Sequence, residues 1–449
     1  HLIDRAHEDG IDTIITCDNG IAAAKEIEYG KALGMTIIVT DHHEVPYKEN
    51  EAGRRYILPP ADAVVDPRQE GCEYVFKGLC GAAVAYKLVE ALCEANGQDV
   101  ADLDYLLENV AIATVADVMD LTEENRILVK QGLEMLKRTS NLGLRALIQC
   151  IGLEGKKIQA YHIGFILAPC LNASGKLDTA KRALALLRAK TEREADMLAG
   201  DLKALNESRR DMTDRVVDEA MAKVEQTDIR GDKVLVIYLP DCHESLAGLV
   251  AGRVRENYYR PVFVLTDSED GVKGSGRSIE SYSMYEELTG CGDLLTKFGG
   301  HPMAAGLSLD KENVEKFKRR LNDQCTLSEE ELTEKVVIDM ELPFAAITEQ
   351  FIEELEYMEP FGKGNTKPVF AARGVVMQHV KIIGKNKNVA KATAIDAAGN
   401  RMEAICFHDA QEFAKQCERN NGKMSITFYP GINEFRGERQ IQIVITHYR

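Results

Sequence analysis

Residues 11–43 read IDTIITCDNG IAAAKEIEYG KALGMTIIVT DHH and carry the clearest fold signal in the chain. Two apolar, β-branched runs at residues 11–16 and 35–40 enclose a helix-like stretch at residues 21–33. Strand, helix and strand in this order predict a β-α-β unit with parallel strands and a right-handed crossover. Both strands of such a unit end at one carboxyl edge of the sheet, where open α/β sheets bind ligands.

Acidic and imidazole side chains follow both predicted strands. Asp18 comes after the first strand, and Asp41, His42 and His43 come directly after the second. Carboxylate oxygens, with imidazole tolerated, suit hard divalent cations such as Mn²⁺ or Mg²⁺. A single aspartate after a strand is more often a helix N-cap, but the second cluster in the same unit favours a metal site.

The overall composition is that of a globular protein with about three domains. Its 449 residues are 45% hydrophobic and 28% charged, and no apolar run reaches the roughly 18 residues that a membrane span needs. The 11 cysteines form no C-x-x-C pair, which predicts reduced thiols and a cytoplasmic location rather than disulfides or a zinc site. The first predicted strand begins close to His1, so we expect that an N-terminal part of the first domain precedes this sequence.

Four segments are predicted along the chain. Residues 1–190 alternate short strands with helices and form a first α/β domain. Residues 191–227 form a long connecting helix that opens with the capping box TERE. Residues 228–335 return to strand, helix and strand as a second α/β domain, and residues 336–449 contain short strands with Gly or Asn turns, typical of a small β-barrel.

Two glycine-rich stretches of the second α/β domain are typical of phosphate contacts. Residues 273–278 read KGSGRS and combine backbone, hydroxyl and guanidinium donors, and residues 298–306 add an imidazole. Either stretch alone is more often a turn, but together they favour an anion pocket. The candidate phosphate ligands are therefore Ser275, Arg277, Ser278 and His301.

Two further candidates lie in the first domain. Residues 169–176 read PCLNASGK and are predicted as a polar loop that offers Asn172. Asp117 ends a helical pattern at residues 103–116, where it is either a metal carboxylate or a routine helix cap.

The last segment is locally basic although the whole chain has a net charge of −17, which argues against a sequence-independent nucleic-acid coat. Residues 369–449 contain 12 Lys and Arg against 7 Asp and Glu. A basic groove with aromatic side chains is how small barrels bind single strands, although a solvated face over an aromatic core is an equal alternative. The candidate contacts are Lys381, Lys385, Lys387, Lys391 and Arg436, with Phe407 and Phe435 as stacking surfaces.

These motifs, in their order and spacing, resemble those of the DHH/DHHA1 phosphoesterases. The matching stretches are TCDNG at 16–20, DHH at 41–43, TVAD at 114–117, LNA at 171–173, KGSGRS at 273–278 and FGGH at 298–301. With residues 360–365 and the closing barrel, the pattern is similar to the RecJ family of single-strand-specific DNA exonucleases. The resemblance covers the whole chain and implies a parallel-sheet DHH domain, a long helix, an α/β DHHA1 domain and a β-barrel OB-fold domain.

The resemblance also implies a mechanism. Two Mn²⁺ or Mg²⁺ ions would be bridged by Asp18, with His42 and Asp117 completing the second site. Asp41 would orient the imidazoles, and His43 would face the scissile phosphate, which Asn172, Arg277 and His301 would bind from across a cleft. The expected enzyme is a metal-dependent hydrolase that digests single-stranded DNA from 5′ to 3′ into mononucleotides. Its expected roles are DNA recombination and repair, as a cytoplasmic monomer partnered by a helicase and a single-strand-binding protein.

The sequence departs from the family pattern in places. RecJ proteins often carry Arg at the positions of Cys170 and Lys176, and Ala at the position of Pro302. Lysine keeps the charge of arginine but loses its bidentate fork, so Lys176 is a weaker phosphate ligand. The Asp-rich first motif of the family is not in this sequence, and we expect it before His1.

Two other functions stay open. A short-oligonucleotide or cyclic-dinucleotide phosphodiesterase of the same superfamily would not carry the closing barrel. A non-catalytic, single-strand-binding replication scaffold would have no need of intact Asp18, His42, His43 and Asp117.

Overall fold

The computed structural model describes residues 1–50, 53–177, 180–384, 387–407, 410–435 and 437–449. The chain divides into two compact units. The first unit combines His1–Ala168 with Val337–Arg449, and the second is Pro169–Val336. Among the described residues, no helix is both long and apolar enough to cross a membrane.

The N-terminal part of the first unit is an α/β domain. Its elements are α1 (Leu2–Glu8), β1 (Thr13–Ile15), α2 (Ala24–Ala32), β2 (Thr36–Thr40), β3 (Tyr47–Asn50), β4 (Gly53–Tyr56), β5 (Ala63–Val65), α3 (Gly81–Ala95), α4 (Leu107–Ala116), α5 (Glu123–Leu136), α6 (Leu142–Cys150) and α7 (Ala160–His162). Strands β1, β2 and β5 form a parallel sheet in that order, which confirms the predicted β-α-β unit. Strands β3 and β4 form a separate hairpin.

The sheet forms because β2 is buried. Ile37 and Val39 are almost fully buried and pack with Ile27 of α2 and with Met35. Their branched side chains suit a pleated, covered strand, and the shared parallel direction brings the carboxyl ends of β1, β2 and β5 to one edge. This edge is the place where the sequence puts its acidic and imidazole groups.

The second unit contains the long helix and a mixed sheet. Its elements are α8 (Ala168–Leu177), α9 (Lys181–Leu187), α10 (Glu192–Gln226), β6 (Leu235–Tyr238), α11 (Glu244–Tyr258), β7 (Val262–Ser268), β8 (Gly271–Arg277), α12 (Met284–Thr289), β9 (Leu295–His301), β10 (Ala304–Leu309) and α13 (Val314–Gln324). The strand order is β6-β7-β8-β10-β9, with β6 and β7 parallel and the other pairs antiparallel. The predicted long helix is α10, and its N-cap Thr191 accepts a hydrogen bond from the backbone of Glu194 at 3.2 Å.

One local prediction in this region is wrong. Residues 169–176, predicted as a polar loop, lie in helix α8. The helix forms despite its Ser and Gly because Ala168, Cys170 and Ala173 present a buried apolar face, and burial of such a face overrides weak helix propensity.

The C-terminal part of the first unit is a closed five-stranded barrel, as predicted. Its elements are β11 (Met340–Glu341), α14 (Glu349–Glu356), β12 (Phe370–Ile383), β13 (Val389–Ile395), β14 (Arg401–Cys406), α15 (Ala410–Arg419), β15 (Lys423–Phe435) and β16 (Glu438–Tyr448). Strands β12, β13, β14, β16 and β15 pair in that order, and β12 pairs again with β15 to close the ring. Buried Phe344, Phe370, Phe413 and Phe428 fill its core.

The barrel is tied to the α/β domain of its own unit through the segment that precedes β12. The backbone of Leu121 donates to the carbonyl of Lys363 at 2.7 Å, and Lys363 pairs with Asp120 at 3.1 Å. Arg126 donates to the carbonyl of Tyr357 at 2.8 Å. Because Asp120 and Leu121 follow Asp117 closely, this anchor holds the loop that carries a candidate metal ligand.

Candidate metal centre and phosphate site

Two strand ends and one helix end converge in the first unit. The ligand atoms of Asp18, Asp41, His42 and His43 all lie within 4.8 Å of one another. His42 Nε2 lies 2.9 Å from Asp18 Oδ1 and 3.5 Å from Asp117 Oδ2. The imidazole therefore stands between two carboxylates, one after β1 and one after α4. We call these five residues the metal cluster.

Asp41 is the organising carboxylate of the metal cluster. It is almost fully buried and accepts hydrogen bonds from the backbone of Ile21 at 2.9 Å and of His42 at 2.8 Å, and from His43 Nδ1 at 2.7 Å. Burial opposes its ionisation, but the hydrogen bonds from Ile21, His43 and His42 hold the pKa of Asp41 below its ordinary value. These contacts support the expected role of Asp41 for the imidazole of His43, whereas Asp41 reaches His42 through its backbone N–H.

Asp18 occupies a strained backbone position. Its φ is 66°, in the left-handed region that residues other than glycine rarely adopt. Its backbone N–H donates to the carbonyl of Thr40 at 3.1 Å, which holds it beside the end of β2. A Cβ on Gly81, at the start of α3, would lie 2.4 Å from Asp18 Oδ1, so only glycine allows this approach.

The pKa values of two members of the metal cluster, Asp117 and His43, are raised by their surroundings. Burial raises the pKa of Asp117, and the neighbouring charge of Asp18 adds to this effect while His42 opposes it. The hydrogen bond to Asp41 raises the pKa of His43, whose side chain is largely exposed. Carboxylates crowded in this way are stabilised by a cation.

The donor set fits a divalent metal ion. Both ring nitrogens of His42 are buried and have no hydrogen-bond partner among the described residues. Asp18 Oδ1 is close to Nε2, yet the geometry does not make a hydrogen bond. Buried polar atoms normally have a hydrogen-bond partner or a metal ion. A cation shared by Asp18, His42 and Asp117 would give His42 Nε2 such a partner.

Sequence reasoning missed Asp66 at the end of the third parallel strand. It follows β5 directly and is almost fully buried. Its Oδ1 accepts from the backbone of Arg68 at 2.8 Å, and its Oδ2 has no hydrogen-bond partner among the described residues. Burial raises the pKa of Asp66, and the charge of Asp41 adds to this effect. The rule that singled out Asp18 and Asp41, an acid after a parallel strand, would also have found Asp66.

The second unit aligns two of the predicted phosphate ligands. Ala304 of β10 lies opposite Arg277 of β8 and also opposite His301 of β9, so the two flank it in one row of the sheet. In the next row on that face, Gly306 lies between Ser275 and Gly299. We call the row formed by Arg277, Ala304 and His301 the phosphate row. Burial, and then the charge of Arg255, lower the pKa of Arg277.

The remaining predicted phosphate ligands lie apart from this row. Ser278 is almost fully buried, and its hydroxyl donates to the carbonyl of Tyr282 at 2.5 Å, which supports a structural role. Asn172 lies on α8 and is exposed.

The basic residues of the barrel are partly described. Lys381 of β12 lies directly opposite Lys391 of β13, and Lys391 forms an ion pair with Glu403 of β14. Lys387 lies in the turn between β12 and β13 with a positive φ. Lys385 and Arg436 lie outside the described residues, and so does the side chain of Phe435, whereas Phe407 is exposed.

Comparison with known families identifies three regions. The DHH family, N-terminal domain matches residues 1–114, the DHHA1 domain matches residues 231–327, and the RecJ OB domain matches residues 338–447.

Curated relatives cover nearly the whole chain. It is 37% identical to the single-stranded-DNA-specific exonuclease RecJ of Bacillus subtilis over 98% of this chain, but spans only 54% of that relative. It is 33% identical to RecJ of Salmonella typhimurium and 32% identical to RecJ of Escherichia coli, over 99% of this chain and 78% of each relative. The chain thus spans from about half to about three quarters of the length of these relatives.

Solved structures agree with the fold. The structure of RecJ from Thermus thermophilus in complex with Mn²⁺ matches with a TM-score of 0.81 and 27% identity, over 100% of this chain and 63% of that chain. An exonuclease RecJ bound to manganese matches with a TM-score of 0.58 and 34% identity, over 72% of this chain and 77% of that chain.

Proposed function

The chain belongs to the RecJ family, and we propose that it is a metal-dependent exonuclease specific for single-stranded DNA. One observation carries the proposal: His42 Nε2 lies between Asp18 and Asp117, 2.9 Å and 3.5 Å from their oxygens, without a hydrogen bond to any residue that the structure describes. This arrangement gives a scaffold no structural benefit, because it leaves buried nitrogens unsatisfied and crowds carboxylates.

Asp18, His42 and Asp117 would hold Mn²⁺ or Mg²⁺, with Asp18 shared between two ions. Bound cations of this kind supply charge stabilisation and an activated water for in-line displacement at phosphorus. Asp41 would orient the imidazole of His43 through the bond to its Nδ1, and it would hold the backbone at His42 through the bond from the His42 N–H. His43, an exposed member of the metal cluster, would contact the scissile phosphate.

The phosphate row would bind the substrate through side-chain hydrogen bonds to the phosphate rather than through metal ions. Arg277 offers a planar fork that can contact two phosphate oxygens, and His301, in the same row, adds an imidazole. Asn172 and the hydroxyl of Ser275 are further proposed contacts. Ser278 is kept only as a support for the turn, because its hydroxyl is already bonded to Tyr282.

The barrel would hold the strand away from the reacting phosphate. Lys381, Lys387 and Lys391 are its proposed contacts, together with Lys385 and Arg436. The family resemblance supports 5′ to 3′ polarity, mononucleotide products and a role in recombination and repair. It also supports a cytoplasmic monomer that acts with a helicase and a single-strand-binding protein.

The test is digestion of end-labelled single-stranded DNA, duplex DNA and RNA by the full protein, with Mn²⁺ and Mg²⁺ in parallel. His42→Ala and Asp117→Asn should lose both hydrolysis and tight Mn²⁺ binding measured by calorimetry. Asp104→Asn, which changes an exposed aspartate outside the cluster, is the matched control and should keep both.

Three results would reject the proposal. Binding of long single strands without hydrolysis would favour the replication scaffold. Hydrolysis confined to cyclic dinucleotides or to substrates of two or three nucleotides would favour the small phosphodiesterase. Full activity of His42→Ala would remove the metal cluster from the chemistry.

A further inference from the structure

Helix α11 carries two glycines one turn apart, Gly248 and Gly252. The apolar face of the helix packs through Leu246, Val250 and Val254 against the sheet, so the helix is part of a well-formed core. Glycine destabilises a helix interior relative to alanine because it has more conformational freedom to lose. A glycine in this place therefore calls for a local reason.

Among the described residues, a close neighbour supplies such a reason at Gly248 and not at Gly252. A Cβ on Gly248 would lie 2.8 Å from Arg277 Nη2, 3.3 Å from its Cζ and 3.5 Å from its Nη1. The guanidinium group thus lies directly against the helix backbone at Gly248. A Cβ on Gly252 would meet no heavy atom within 4 Å in the part of the chain that the structure describes.

The two cations that β8 presents to this helix are treated differently. Lys273 is paired with Glu244 of α11 at 2.8 Å. Arg277, four residues along the same strand, faces Gly248 instead and forms no ion pair with any described carboxylate. Its Nη1 donates to the carbonyl of Gly276 at 2.8 Å, which leaves most of its N–H donors unused. A half-buried guanidinium without a counter-ion is a site for an anion from outside the unit.

We propose that Gly248 is a positioning residue for Arg277. Because Gly248 has no side chain, it leaves a space against the helix backbone, which we call the seat, and this space holds the guanidinium group in place to bind the substrate phosphate. This rests on the proposed function, in which Arg277 contacts that phosphate. Glu244, one turn earlier on the same helix, neutralises Lys273, whereas Gly248 orients Arg277 without neutralising it. Helix α11 thereby keeps a single cation of β8 free for the ligand.

The seat gives Gly248→Ala two opposite effects. The three atoms nearest to the new methyl group would all belong to the far end of the flexible Arg277 side chain, which can move, so the fold can accept it. Helix propensity favours the alanine, so the melting temperature should stay the same or rise by a few degrees. The guanidinium, however, must move, and a misplacement of about 1 Å can cost about 100-fold in rate.

The experiment compares Gly248→Ala with Gly252→Ala in the full protein, because both place the same methyl group on the same helix. The substrate is a 5′-phosphorylated single-stranded oligonucleotide. Gly248→Ala should lower kcat/KM by about 10-fold to 100-fold and weaken oligonucleotide binding measured by fluorescence anisotropy without turnover. Gly252→Ala should change both by less than about twofold, with a similar gain in melting temperature.

Arg277→Ala completes the design. If the seat acts through Arg277, adding Gly248→Ala to Arg277→Ala should change neither binding nor rate further. The proposal fails if Gly248→Ala keeps wild-type kinetics while Arg277→Ala is impaired, or if the two losses add. It also fails if the rate falls only in step with a lower melting temperature. Wild-type kinetics for Arg277→Ala would instead reject the phosphate role of Arg277, and the seat with it.

Discussion

The metal cluster and the phosphate row are assembled in opposite ways. The metal cluster takes its side chains from the ends of parallel strands and of a helix, where the chain leaves regular structure. Asp18 adopts a strained backbone conformation there, with a φ of 66°. The phosphate row takes Arg277 and His301 from within antiparallel strands, aligned by hydrogen-bond register on either side of Ala304. The first site depends on loop geometry and strain, and the second depends on register and on the absence of side chains nearby.

The largest expected effect is the loss of activity when the charge of Asp18 is removed. Asp18→Asn should lower exonuclease activity by at least about 100-fold, because it removes the carboxylate that we propose is shared by the metal ions. Asparagine tolerates the left-handed region as well as aspartate does, so the melting temperature should change little. The measurements are hydrolysis with Mn²⁺ and thermal unfolding of the metal-free protein.

Asp18→Ala is the companion that separates strain from chemistry. Alanine adopts a positive φ only with difficulty, so this variant should also unfold about 1 kcal/mol more easily. Retention of more than a few per cent of activity by Asp18→Asn would contradict the assignment of Asp18 as a metal ligand.

The next effect tests the second site with charge held constant. Arg277→Lys should raise KM or lower kcat by about 10-fold or more, since an ammonium group cannot reproduce two hydrogen bonds of a charged fork. Lys273→Arg, on the same strand and face, serves as the control because Lys273 is already paired with Glu244. The measurement is kcat and KM on a 5′-phosphorylated oligonucleotide, and equal behaviour of both variants would mean that Arg277 makes no bidentate contact with the substrate phosphate.

A smaller effect is expected at the third strand end, which would widen the metal cluster. Asp66→Asn should raise the free energy of unfolding by about 1 kcal/mol, because it removes a buried charge beside Asp41. The asparagine keeps a side-chain oxygen that can accept the hydrogen bond from the backbone N–H of Arg68. If Asp66 supports the cluster, Mn²⁺ affinity should fall about 10-fold in the same variant. Calorimetric titration with Mn²⁺ and thermal unfolding test the two parts separately, and unchanged affinity would confine the metal cluster to its five residues.

The smallest effect is expected from a single lysine of the barrel. Lys381→Gln should weaken binding of long single-stranded DNA by only a few-fold. The slope of the logarithm of the binding constant against the logarithm of the salt concentration should become shallower by less than about one. Cleavage of a trinucleotide should stay unchanged. Lys415→Gln, on α15 outside the predicted groove, is the matched control. Equal losses on long and short substrates would show that Lys381 supports the catalytic part rather than grips the strand.

The strong local patterns were readable from the sequence alone. The β-branched runs beside the DHH motif predicted the parallel β-α-β unit, since burial of β2 between helices demands such residues. The capping residue Thr191 and the absence of proline predicted α10, and the recurring short strands predicted the closed barrel. Strand order at a carboxyl edge also placed Asp18, Asp41, His42 and His43 together. In each case the information lies in patterns that can be read along a continuous stretch of chain.

Only the tertiary structure decided the contacts made between distant stretches. The position of His42 between Asp18 and Asp117 requires α4 to end beside the sheet, and no periodicity specifies that. The common row of Arg277 and His301 depends on a register set through β10, and the helix at residues 169–176 depends on a buried face that overrides propensity. The seat at Gly248 likewise exists because packing brings α11 against β8. Sequence pattern reports local preference, whereas packing free energy, summed over many distant contacts, selects the one arrangement in which those preferences meet.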